Sequence, residues 1–386
     1  MSLGLPGVRP DRWRSSLILT ITRRCNLRCA YCPTVKDGVP DLSADDARRA
    51  IDLFLARHGG GDIKLFGGEP LLRSDVVEAV IHHVSNVSDV SLYVSTNGTR
   101  FTDERIALFQ SNPRVTLTLS LDGDARDHDG LRRPLPGEAA SFAEIERWLP
   151  ALLTLPRFVV TQTVAPSTAA RAAANFRFLR GLGVRRFNLL PGYYLPWSPA
   201  QLHALEESFA VIGDTFRAAW ARGDRLYLRN LFTRAPTAFF NTGFVVDSDG
   251  RIHASNLVLA EAVGDRTVVG TLDAPPTPEA LAAAAEKVPA LLAEVYPERV
   301  LASTNAVDRL LTNLCERLYP AFFEMRGRLG RGEGPPHGRL AADLRGRAAS
   351  APALAGPGAA SLAHADSATP SASPQRPPES RPWGAG

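Results

Sequence analysis

Three of the chain's four cysteines fall within "TRRCNLRCAYCP" (22–33), as Cys25, Cys29 and Cys32. The spacing C-x3-C-x2-C lets one short loop wrap three sulfurs around a compact metal centre. A structural zinc site takes four protein ligands, and the neighbourhood offers no fourth cysteine or histidine before His58. Three ligands leave a coordination position open. A [4Fe–4S] cluster is held through cysteine thiolates, normally one to each iron, so three cysteines leave one iron available to a substrate or cofactor. Four cysteines in 386 residues are too few for a disulfide framework, and clustered thiols in a reducing compartment point to metal or redox chemistry.

Such a loop needs elements to hold it. β-rich runs bounded by turn residues predict six strands at 15–22, 62–66, 90–96, 115–121, 157–164 and 184–190. Helical patterns lie between them, the first beginning at Ser43 as N-cap and ending at glycine. Alternating strands and helices imply a parallel sheet, and six units predict an α/β fold, a partial (β/α)6 TIM-like barrel whose active site lies at the C-terminal face. The strand ends agree: after the first come the cysteines, after the second "GGEP" (67–70), then "STNG" (95–98) and "SLDG" (120–123). Serine, asparagine, aspartate and glycine are also what ordinary turns use, and that reading stays open for the last two.

Beyond the sixth strand, 198–223 reads as a long amphipathic helix and 244–260 as a β-hairpin around an aspartate–glycine turn. The chain is expected to divide into an N-terminal extension (1–14), a core barrel (15–197), a helical and hairpin-bearing C-terminal subdomain (198–334) and a tail (335–386) rich in alanine, proline, glycine and serine. That tail cannot bury enough apolar surface to offset chain entropy and is read as disordered.

Composition narrows the classes. With 45% apolar and 22% charged residues and no apolar run near membrane-span length, the chain reads as globular with no membrane partner. The N-terminus lacks the order of regions in a signal peptide, so a cytoplasmic location is expected. Net charge is +4 with pI near 9.0, but the arginines are scattered without an aromatic-interleaved basic block, which argues against nucleic acid.

C-x3-C-x2-C with Tyr31 before the last cysteine resembles the signature of the radical S-adenosylmethionine enzymes. The resemblance implies one [4Fe–4S] cluster on Cys25, Cys29 and Cys32, whose free iron chelates the methionine moiety, and reductive cleavage of the sulfonium to a 5′-deoxyadenosyl radical that abstracts hydrogen from substrate. "GGEP" is similar to the family's second motif, which implies that Gly67, Gly68, Glu69 and Pro70 meet the methionine ammonium; a carboxylate matches the positive amine and glycines allow close approach. It further implies Ser95 and Asn97 near the nucleoside, Ser120 and Arg132 toward the methionine carboxylate, and Leu190 beside the adenine. Tyr31 is read either as packing or as a cover for the cluster.

The resemblance runs from about Leu17 to Asp273. Residues 120–142 and the segment beginning "VVDSDGRIHASN" are similar to the peptide- and protein-modifying branch with a SPASM extension, that of the anaerobic sulfatase-maturating enzymes. Where that branch has a cysteine after the aspartate–glycine turn, this chain has Ala254 and Ser255, and the only later cysteine is Cys315. One thiol cannot hold auxiliary clusters, so a single cluster is expected on a SPASM-like scaffold that has lost its metals. The implied function is post-translational modification of a peptide or protein side chain, with an external electron donor such as flavodoxin or ferredoxin. A small metabolite as substrate is the alternative; a non-catalytic metal- or peptide-binding protein is the alternative of another class. Cys315 reads as a small buried hydrophobe, and His82 and His83 as a solvated helix face. His128 and Asp129 either orient Arg132 or finish a loop, and Asp247 and Asp249 are either bases or parts of the hairpin turn.

Overall fold

Runs of β-branched and leucine residues alternate with capped amphipathic helices along most of the chain, and each run becomes a strand. The computed structural model describes residues 14–34, 36, 38–232, 243–260 and 262–330. The strands are β1 (Ser16–Thr22), β2 (Leu27–Cys29), β3 (Gly61–Gly67), β4 (Val90–Thr96), β5 (Thr116–Ser120), β6 (Arg132–Pro134), β7 (Phe158–Val164), β8 (Arg186–Pro191), β9 (Tyr227–Leu228), β10 (Phe244–Val246), β11 (Arg251–His253) and β12 (Val268–Thr271). The helices are α1 (Ala44–His58), α2 (Ser74–Val84), α3 (Asp103–Ser111), α4 (Ala125–Leu131), α5 (Ser141–Leu152), α6 (Ala172–Gly181), α7 (Pro199–Ala221), α8 (Pro278–Val295) and α9 (Glu298–Gly330). The six expected strands are β1, β3, β4, β5, β7 and β8.

One sheet runs in the order β12-β11-β10-β1-β3-β4-β5-β7-β8-β9, and β2 pairs antiparallel with β6. From β10 to β9 all neighbours are parallel. The fold is α/β with a mostly parallel sheet; it is open, since among the described residues no pairing joins β9 to β12. The first crossover helix begins and ends where its sequence dictates. At α1, Ser43 accepts from Asp46 N, and Gly59 closes the helix at φ 69°, a left-handed geometry that costs glycine little.

The helices cover the convex face. Leu17, Leu19 and Ile21 of β1 meet Ala47, Ala50, Ile51 and Phe54 of α1 in one core with no exposed surface, each large side chain there contributing roughly 1.5–3 kcal/mol. The concave face is different: β3, β4 and β8 alternate buried residues with half-exposed ones. The expected hairpin forms, with Gly250 N donating to Asp247 O in its turn, and it is built into the sheet against β1. Residues 1–13 of the expected extension and the whole expected tail, 335–386, lie outside the described residues. No described helix is long and apolar enough to cross a membrane.

Candidate functional site

The loop leaving β1 carries Cys25, Cys29 and Cys32, all half-buried, and backbone hydrogen bonds fix it from two directions. Cys29 lies in β2 opposite Arg132 of β6, and Ala30 N donates to Leu131 O at 2.8 Å. From the other side, Gly68 N donates to Thr22 O at 2.7 Å and Glu69 N to Arg24 O at 2.9 Å. The glycines of GGEP serve that approach: Gly67 has φ 132°, and a Cβ on Gly68 would stand 2.1 Å from Arg24 O. Pro70 opens a short 3-10 turn at the same place.

The side chains around this loop are held more fully than their sequence suggested. Glu69, expected at a methionine ammonium, is wholly buried: its Oε1 accepts from Leu71 N at 3.0 Å and Thr96 Oγ1 at 2.7 Å, and Oε2 from Asn97 N at 2.6 Å. Burial raises its pKa, opposed by those hydrogen bonds. What GGEP offers a ligand is therefore backbone and the remaining lone pair of Oε2. Asn97, expected near a nucleoside, donates to Asn26 Oδ1 at 3.0 Å and lies 3.8 Å from Cys25 Sγ. Ser95, Ser120 and Leu190 are half-buried residues of β4, β5 and β8.

Arg132 is buried, and Asp122 grips it through two parallel bonds, Nε to Oδ2 at 2.8 Å and Nη2 to Oδ1 at 3.0 Å. A methionine carboxylate would have to compete for what remains of the guanidinium. Asp122 Oδ2 also accepts from Tyr31 OH at 2.7 Å, Oδ1 accepts from Thr163 N at 2.9 Å, and the Arg132 guanidinium stands 5.3 Å from the Tyr31 ring centroid. Tyr31 thus ties the cysteine loop to Asp122. His128 and Asp129 finish the loop: His128 Nδ1 accepts from Asp122 N at 3.2 Å, its Nε2 meets Ser141 Oγ at 2.9 Å, and Ser141 Oγ donates to Asp129 Oδ1 at 3.2 Å. Burial drives the His128 pKa down to about 4, so the ring is neutral at pH 7.

Neither hairpin aspartate is placed as a free base. Asp247 is fully buried and ion-pairs through both carboxylate oxygens with Arg23, two residues before Cys25; Asp249 accepts from Arg251. Ala254 and Ser255 end the hairpin, Cys315 is buried in the core on α9, and His83 Nε2 meets Asp52 at an exposed helix face. Asp122, Arg23 and Lys36 are the residues that sequence reasoning passed over. For Asp122 and Arg23 the only signal was a charge beside a strand end, which turns and rims share, and Lys36 carried no local signal.

The thiols suit a soft metal centre. Burial pushes Cys25 up to about 11 and raises Cys29, while Lys36 pulls both down and Arg132 pulls Cys29 down. Loading a metal therefore displaces protons, with two cations beside the resulting thiolates. Three thiols on one loop, with a donor approaching Cys25 Sγ from Leu27 N at 3.4 Å, fit the thiolate ligation of an iron–sulfur cluster.

Residues 19–156 match the Radical SAM superfamily. The GTP 3′,8-cyclase of Lactiplantibacillus plantarum is 45% identical over 96 residues, 23% of this chain and 28% of that protein. The sporulation killing factor maturation protein SkfB of Bacillus subtilis is 31% identical over 157 residues, 40% of this chain and 37% of that protein. The chain thus spans well under half the length of these curated relatives. Among solved structures, anSMEcpe with bound AdoMet aligns with TM-score 0.58 at 18% identity, over 69% of this chain and 79% of that one, a likeness of fold.

Proposed function

Because the chain carries a radical SAM domain at residues 19–156, we propose that it is a radical enzyme that modifies a peptide or protein side chain. When bound, a [4Fe–4S] cluster and S-adenosylmethionine supply reductive cleavage of the sulfonium and a 5′-deoxyadenosyl radical that abstracts hydrogen. In this reading Cys25, Cys29 and Cys32 hold the one cluster, GGEP lends its backbone to the methionine ammonium, Ser120 and Arg132 lie toward the methionine carboxylate, Ser95 and Asn97 near the nucleoside and Leu190 beside the adenine, and flavodoxin or ferredoxin delivers the electron. Tyr31, Asp122 and Arg132 position the cysteine loop from one side, and Arg23 with Asp247 from the other. The core 15–197 does the chemistry and 198–334 braces it.

The observation that carries the reading is the stitching of GGEP to the backbone of Thr22 and Arg24, immediately before Cys25. A peptide as substrate draws support from the SPASM-like segments and from the relative named for maturing a killing factor. A second reading, a small metabolite, draws on the relatives named GTP 3′,8-cyclase. Anaerobic reconstitution with iron and sulfide, followed by reduction, is expected to give about four irons per chain and release of 5′-deoxyadenosine, both lost when Cys25, Cys29 and Cys32 become alanine. Peptides are then screened for mass and stereochemical change; turnover of a metabolite with every peptide unchanged would overturn the peptide reading.

A further inference from the structure

TIM-like barrels ordinarily fill their interior with layers of bulky branched side chains. This sheet does not. Ile63, Leu65, Leu92, Val94, Phe187 and Leu189 face the helices and are buried, whereas their alternate neighbours Lys64, Tyr93, Ser95, Asn188 and Leu190 are half-exposed and Phe66 is 43% exposed. The concave face is thus an accessible lumen with polar walls.

One cation reaches across it. The Arg229 guanidinium stands 4.4 Å from the Tyr93 ring centroid, although β5, β7 and β8 separate β4 from β9 in the sheet; the contact has to cross the concave face. Lys64 is the register partner of Tyr93, the ring under Arg229, and has no hydrogen bond among the described residues; burial first, then Arg229, lowers its pKa, and Asp62 alone opposes. That aspartate is shared with Arg229 and with Arg14, the latter at 3.3 Å. Nearer the cofactor loops, Thr20 and Thr118 alternate with core-facing leucines, are 0% and 6% exposed, and carry hydroxyls without partners. Each lies level with the lumen wall, Thr20 opposite Phe66 and Thr118 opposite Ser95.

We propose that Lys64 and Arg229 form an anion subsite on the floor of the lumen, which takes a carboxylate or phosphate group of the substrate. It rests on the reading of this barrel as the active site. Lys64 precedes Gly67 by three residues, which at about 3.3 Å per residue puts the floor roughly 10 Å below GGEP. A substrate anchored there by its anion presents atoms some distance along its length to the cofactor.

The test is calorimetric titration of the full chain, reconstituted anaerobically, with pyrophosphate and separately with glutarate at low salt, alongside Lys64→Met and Lys64→Arg. One of the two anions is expected to bind with Kd of about 1 mM or tighter, to weaken about tenfold or more in Lys64→Met, and to recover in Lys64→Arg. Binding of pyrophosphate assigns the anion to a phosphate-bearing substrate; binding of glutarate assigns it to an acidic peptide group. Lys64→Met is also expected to melt no lower than the unaltered chain, since it replaces a desolvated cation near another. No binding of either anion at 10-fold the expected Kd, or equal binding in Lys64→Met, would overturn the subsite. The titration needs no turnover, so it stands or falls independently of whether a peptide is modified.

Discussion

Asp122→Ala tests how the cysteine loop is held. Asp122 is 2% and Arg132 6% exposed, and truncation leaves that guanidinium buried without its carboxylate. Removing one partner of a buried pair costs about 3–5 kcal/mol. The same change strips an acceptor from Tyr31 OH and from Thr163 N, each worth about 1–3 kcal/mol when orphaned in the interior. These costs are not additive, because all three groups share one carboxylate, so a loss of about 4 kcal/mol or more is expected, a large share of the roughly 5–15 kcal/mol that holds a protein folded. Urea denaturation of the metal-free chain measures it, with iron content after reconstitution as the second readout. Asp122→Ala combined with Arg132→Met is expected to recover most of the stability, since no charge is then left buried, while iron loading stays low because the tether through Tyr31 is gone. Stability within about 1 kcal/mol of the unaltered chain for Asp122→Ala, or a double variant weaker than the single, would refute the reasoning.

Three further expectations can be checked with the same preparations. In Gly68→Ala the new Cβ would meet Arg24 O, a backbone atom at 2.1 Å that has little room to yield; iron per chain is expected to fall by more than half, and full loading would show that the approach of GGEP to the loop is dispensable. Asp247→Asn weakens the grip on Arg23 beside the cysteines, so the electron paramagnetic resonance spectrum of the reduced cluster should broaden or shift while far-UV circular dichroism holds; an unchanged spectrum would separate the hairpin from the cluster. His128 is neutral when folded, its pKa driven to about 4 by burial. The unfolded chain therefore binds the proton first: the contribution present above about pH 6.5 is lost as pH falls toward 4, by up to roughly 3 kcal/mol. His128→Gln is expected to flatten that slope in denaturation measured between those limits, and an identical slope would place the acid sensitivity elsewhere.

Much of this was legible from residue types because the signals were periodic. Strands β1, β3, β4, β5, β7 and β8 are apolar runs broken by glycine-bearing turns, and Ser43 caps α1 because its hydroxyl reaches Asp46 N. The cysteines were legible because three thiols in eight residues are rare without a purpose. The partners of those residues were not. Asp122 meets Tyr31 across 91 positions and Asp247 meets Arg23 across 224, and no local pattern encodes a contact at that separation. Asp247 illustrates the consequence: beside a hairpin glycine it reads as a turn residue or a base, and only the parallel pairing of β10 with β1 brings it to the cysteine loop. Glu69 shows the converse, a carboxylate in a recognisable motif whose oxygens mostly serve the end of β4.

These contacts share a physical logic. A sheet with a polar concave face forgoes the apolar filling that would otherwise stabilise a barrel from within, so its stability has to come from the convex face and from whatever closes its edges. The convex face supplies the apolar core under α1 and its neighbours. At the β1 edge, the hairpin of β10 and β11 adds a parallel strand and delivers Asp247 to Arg23 in the same step. Arg23 then cannot move without breaking a buried ion pair, and Cys25 follows two residues later. On the opposite flank the excursion between β5 and β7 does the equivalent work through Asp122, Arg132 and Tyr31. The cysteine loop is thereby clamped between two buried carboxylates that lie outside the cluster-binding segment itself. Segments C-terminal to the cysteines in sequence thus remain necessary to them in space. A hairpin without metal-binding cysteines keeps a structural role for that reason, since it closes an edge and fixes the loop on which the metal chemistry depends.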